Sequence, residues 1–152
     1  RSARNRKAVG PGLREDAAAA IDFYKRAFGA KEKNRMPGPD GNIMHAELQI
    51  GDSHIMLGEE NTQMGNPSPL SLNGSPIGLY VYVRDADKVF DQAVKAGATV
   101  AMPMMDQFWG DRAGMVTDPF GHKWWLATHK QDLSPKAMKK AAEEFFASMQ
   151  KQ

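Results

Sequence analysis

Residues 106–129 read DQFWGDRAGMVTDPFGHKWWLATH, and their reading decides the fold. The centre, Asp118-Pro119-Phe120-Gly121, is a tight turn, because proline pre-sets one backbone dihedral and glycine supplies a positive φ. Gly114-Met115-Val116-Thr117 before it and Lys123-Trp124-Trp125-Leu126 after it suit strands. The stretch holds all three tryptophans of the chain, Trp109, Trp124 and Trp125. It is therefore a β-hairpin with an unusual aromatic load.

Working outward, residues 77–83 form a strand, 85–98 a helix and 99–105 a further strand-like run, so the second half reads βαβββ. The first half repeats that order. Residues 16–30 predict a helix with Asp16 as cap, an alanine-rich body and an apolar stripe of Ala20, Ile21, Tyr24, Ala27 and Phe28. Residues 31–36 follow as a strand, 37–41 as a Pro-Gly turn, and 43–50 as an alternating strand. Its alternation puts Met44, Ala46, Leu48 and Ile50 on one face, and Ile43, His45, Glu47 and Gln49 on the other. Residues 54–57 return as a short strand. A shift of 69 residues lays Asp16 on Asp85, Asp22 on Asp91, Ile55 on Trp124 and Leu57 on Leu126. The weak point of the repeat is residues 8–13, AVGPGL, where two glycines and a proline fit a strand poorly.

The fold class is thus α+β: two βαβββ modules, at residues 8–60 and 77–130, with a C-terminal helix in residues 131–152. Residues 61–76 are a linker loop, and 1–7 a disordered basic tail. Ser134 and Pro135 start the last helix, and Met138, Ala142, Phe145 and Met149 line its apolar face.

Composition narrows the function classes. A formal charge of +2 gives no strong field for nucleic acid or a membrane surface. No apolar run spans a bilayer. With no cysteine there is no disulfide, thiolate nucleophile or cysteine-based zinc site, which fits a reducing, cytoplasmic setting. No Ser/His/Asp spacing, phosphate-binding glycine loop or nucleotide motif is present.

The paired modules, the helix text AAIDFYKRAFGA, the run HAELQIGDSHIML and the hairpin DPFGHKWWLATH together resemble the vicinal oxygen chelate superfamily. This is the glyoxalase, bleomycin-resistance and extradiol-dioxygenase group, and the wording is most similar to its PhnB-like branch. The resemblance implies eight strands curving as a mixed sheet round a cavity, a homodimer, and in many members a divalent metal. It places the usual metal ligands at Val9, Met56, Gly78 and Trp125, none of which is a hard or borderline donor. The expected cofactor is accordingly none.

Two further readings stay open. His45, Glu47 and His54 share a strand face and offer two imidazoles and a carboxylate, a ligand set for zinc, nickel or iron at a shifted site. Alternatively they are a polar face toward a wet cavity, with Glu47 paired to Arg112. His45 and Glu47 are also the candidate catalytic acid–base pair. With Leu79, Val81, Ile55, Leu57, Trp124 and Leu126 toward the helices, the cavity side takes His45, Glu47, His54, Tyr80, Tyr82, Trp125 and, from the next strand, Arg112. Trp109 and Trp125 suit a planar or cationic ligand, and Arg112 suits an anionic group. The expected function is a pocket that binds a small aromatic or cationic molecule without the usual metal. The alternative is a metal-dependent lyase or isomerase of the glyoxalase kind.

Overall fold

The computed structural model describes residues 16–151. The expected tail and the weak strand at 8–13, with Val9, lie outside them. Among the described residues the order is α1 (Ala17–Phe28), β1 (Lys31–Pro37), β2 (Ile43–Ile50), β3 (Ser53–Leu57), β4 (Gly78–Tyr82), α2 (Ala86–Ala96), β5 (Thr99–Asp106), β6 (Asp111–Thr117), β7 (Lys123–His129) and α3 (Pro135–Met149). The starts of α1 and α2 lie 69 residues apart, so the internal repeat is real. The strands hydrogen-bond as two open sheets, ordered β1-β2-β3 and β4-β7-β6-β5, with β4 parallel to β7 and the remaining pairs antiparallel.

Local chemistry sets the helix ends. Asp16 accepts from the Ala19 amide, Asp85 from Lys88 and Ser134 from Ala137, each satisfying a donor that the first turn leaves free. Both module helices lie on one side of the sheets and share a single core. Ile21, Phe23, Ala27, Ala46, Leu48, Ala93, Val116, Trp124 and Leu126 are fully buried or nearly so within it. Phe23, which the expected stripe omits, is buried because α1 is covered on a second side: its ring meets Phe120 of the other module edge-on at 6.1 Å. Gln92 fastens the helices further, donating to the carbonyls of Arg26 (2.7 Å) and Ala27 (3.1 Å).

The β2 strand departs from simple alternation at its start. In β2, Met36 pairs with His45 but Pro37 with Ile43, so Met44 is left unpaired as a bulge. Ile43 consequently turns into the core, and Met44 turns out to solvent, the reverse of their expected faces.

The turn at 118–121 is built round a buried carboxylate. Asp118 accepts from the amides of Phe120 and His122, both at 2.9 Å, and from Trp124 Nε1 at 2.9 Å. Tyr24 of α1 donates to it across the module boundary at 2.6 Å. Burial alone would raise the Asp118 carboxyl, but the bonds from His122, Tyr24 and Trp124 outweigh it and hold the group below its ordinary value.

Candidate functional site

Each sheet buries one face against the helices and leaves the other open. Strand pairing fixes what the open face of the second sheet carries. Tyr80 stands beside Trp125, and Tyr82 beside Ala127, across the parallel pair. Across the hairpin, Trp125 faces Met115, Ala127 faces Ala113, and His129 faces Asp111. Side chains alternate along a strand, so Asp111, Ala113, Met115, Trp125, Tyr80 and Tyr82 all share that face.

Asp111 is 2% exposed and organises the group. Its Oδ2 accepts from Tyr80 Oη at 2.8 Å, Tyr82 Oη at 2.9 Å and Trp109 Nε1 at 3.0 Å. Its Oδ1 lies 2.9 Å from His129 Nδ1, whose Nε2 meets Asp132 at 2.7 Å. Burial works to raise the Asp111 carboxyl. The bonds from His129, Tyr80, Tyr82 and Trp109 more than offset it, so the group stays ionised below its ordinary value. Burial and then the bond to Asp111 push Tyr80 up, the bond to Asp111 does the same for Tyr82, so both stay neutral donors, and the two carboxylates raise His129.

With the polar ends of three aromatic side chains drawn to one carboxylate, their ring faces are left for contact. Tyr80 stacks on Trp125 at 5.9 Å, and Trp109 meets Trp125 edge-on at 6.3 Å. Tyr80 is 39% and Tyr82 61% exposed, so the cluster is an open aromatic wall. Its floor is the fully buried Ala113 and Ala127. The loop carrying Trp109 is pinned at Gly110, whose carbonyl accepts from the amides of Lys130 and Gln131, both at 3.0 Å. Gly110 has φ 98°, and a Cβ there would collide with the Gln131 carbonyl, so only glycine fits.

Tyr80, Tyr82, Trp109 and Trp125 are thus brought together as expected, but Arg112 is not. Arg112 faces the helix side with Val116 and Trp124. Its Nε and Nη2 fork onto Asp87 of α2 at 2.7 and 2.9 Å, with Asp106 at 3.4 Å from Nη1. It therefore neither pairs with Glu47 nor offers a free fork to a ligand anion. Asp111, absent from the expected set, takes the position on the open face. The hairpin register was the available signal, since pairing Val116 with Trp124 necessarily sets Asp111 opposite His129.

His45, Glu47 and His54 do share the open face of the first sheet. There Glu47 binds His54 Nδ1 at 2.6 Å instead of polarising His45. No hydrogen bond or ring contact among the described residues joins this pair to the Asp111 cluster. No group of three or more His, Asp or Glu side chains among those residues is placed to hold an ion. At the usual family positions, the Trp125 indole lies over Gly78, its Cδ1 3.6 Å from where a Cβ would stand. Gly78, Trp125 and Met56 supply no donor that a hard or borderline dication requires, so these residues do not fit the metal.

Comparison with known proteins agrees with this architecture. The sequence pattern of the Glyoxalase/Bleomycin resistance protein/Dioxygenase superfamily matches residues 13–126. An uncharacterized protein of Mycobacterium bovis is 47% identical over 123 residues, covering 79% of this chain and 81% of its own. The crystal structure of TioX from Micromonospora sp. ML1 matches with a TM-score of 0.58 at 32% identity, over 76% of this chain and 92% of that one. A structure of an Arabidopsis thaliana gene product matches with a TM-score of 0.60 at 28% identity, over 74% and 88%. The chain belongs to the glyoxalase/bleomycin resistance protein/dioxygenase superfamily.

Proposed function

We propose that the protein binds a small organic molecule, aromatic or cationic, against the wall formed by Tyr80, Tyr82, Trp109 and Trp125, without a metal ion. The observation that carries this reading is the tethering of Tyr80, Tyr82 and Trp109 to the one buried carboxylate of Asp111. A wall so fixed presents ring faces at little ordering cost, and an ionised carboxylate behind them favours positive charge in front. Benzyltrimethylammonium, which joins a ring to a quaternary cation, is a suitable probe. Tryptophan fluorescence should report saturable binding, and Trp125→Leu should weaken it about tenfold, the loss of one good aromatic contact. An unresponsive wild-type protein, or an unchanged affinity in the variant, would refute the reading.

A second reading rests on the Glu47–His54 bond, which places an acid–base pair on the other sheet. It is a lyase or isomerase of the glyoxalase kind using a metal near His45, Glu47 and His54. Stoichiometric zinc, nickel or iron in the purified protein, lost on His45→Ala, would favour it over the first.

We further propose that the protein acts as a homodimer in the cytoplasm. Met36 and Met56 on the open face of the first sheet, and Met102 and Met105 on that of the second, are exposed apolar groups that a second copy would cover. Light scattering after size exclusion should give twice the chain mass, and a monomer at high concentration would contradict this. No helix among the described residues is long and apolar enough to cross a membrane.

A further inference from the structure

We infer that α3 is a clasp that holds Trp109 in the aromatic wall and so sets the affinity of that site, an inference resting on the binding reading above. α3 lies beyond residues 13–126, the span matched by the family pattern. It has fifteen residues and none of them is buried. A helix of that length is marginal alone in water, so its order depends on what it docks against. Among the described residues its ring contacts outside the helix are to one residue: Phe145 and Phe146 lie 5.2 and 5.9 Å from Phe108. Phe108 in turn meets the neighbouring Trp109 edge-on at 5.0 Å. Trp109 then reaches Asp111 and Tyr80 through its indole N–H, at 3.0 and 3.1 Å.

Both ends of this connection bear on the same indole. Asp111 fixes the polar edge of Trp109, while Phe108, backed by Phe145 and Phe146, restrains its apolar flank. The chain between β7 and α3 is tied to the same site, because His129 bonds Asp111 on one nitrogen and Asp132 on the other. Docking α3 therefore narrows the orientations of Trp109, and undocking it releases the one wall residue that stands on a loop and not on a strand. Phe108 is a positioning residue in this scheme, and Phe145 and Phe146 act through it.

The test uses the full chain labelled with 5-fluorotryptophan, whose three ¹⁹F resonances are assigned by single Trp→Phe variants. Without any ligand, Phe145→Ala/Phe146→Ala should shift and broaden the Trp109 resonance and leave that of the core Trp124 unchanged. The affinity for benzyltrimethylammonium should fall about threefold to tenfold in the same variant. A Trp109 resonance identical to wild type would overturn the inference, and so would an unchanged affinity beside a wild-type protein that binds. If Trp109 moves but the wild-type protein does not bind the probe, the clasp stands and the binding reading fails. If the double variant also disturbs Trp124, Phe145→Leu, which keeps the apolar bulk but removes the ring contact, decides by the same readings.

Discussion

At the scale of the residue, two buried carboxylates carry much of the molecule's specificity. An ionised group removed from water is tolerated only when donors replace its hydration. Asp118 and Asp111 each collect four such donors, and in both cases the donors include a tyrosine hydroxyl and an indole N–H. Asp111→Asn keeps the shape but loses the charge and leaves one side chain to satisfy the same ring of donors. It should cost about 2 kcal/mol in urea unfolding. The pH dependence has a defined sign. Asp111 and Asp118 hold their protons less tightly folded than unfolded, so their stabilisation is complete above the ordinary carboxylate range. It is lost as pH falls below about 4 toward their lowered values. His129 is raised, so its contribution is complete below about 6.5 and is lost as pH climbs through its folded value. Asp111→Asn should therefore flatten both limbs of the urea midpoint against pH, and equal slopes in variant and wild type would contradict the assignment.

At the scale of the element, α3 depends on a single side chain, Phe108, for its ring contacts with the other described residues. Phe108→Ala should reduce the helical signal at 222 nm by the share of one fifteen-residue helix while the cooperative unfolding of the core persists. Most elements were legible in sequence. Alternation, caps and the Asp-Pro-Phe-Gly turn locate α1, α2, β2 and the hairpin, because each signal acts within a few residues. The face of Met44 was not legible, since a bulge depends on how β1 curves over β2 and leaves no local mark. The site was half legible. Tyr80, Tyr82 and Trp125 follow from alternation along β4 and β7, whereas Arg112 lies on the helix side and Asp111 on the open face. The parity of β6 is set by the pairing of Val116 with Trp124, a contact between strands and not a local signal.

At the scale of the whole molecule, the modules are joined through their helix sides and not through a shared strand ladder. No strand of one sheet is hydrogen-bonded to the other among the described residues. The Tyr24–Asp118 bond, at 2.6 Å, and the Gln92 bonds to the Arg26 and Ala27 carbonyls are polar links at a largely apolar junction. Tyr24→Phe should cost about 1.5 kcal/mol, because it leaves the buried carboxylate one donor short. A single cooperative transition should remain, since the apolar core stays continuous across both modules. The same arrangement turns both open faces outward, and the question of function reduces to which of them a small molecule occupies.

That question is answered most directly by following the indole N–H resonances in a ¹H–¹⁵N spectrum as benzyltrimethylammonium is added. The account predicts saturable shifts at Trp109 and Trp125, with Trp124 unmoved in the core. Shifts confined to the His45, Glu47 and His54 face, or none at any indole, would contradict it.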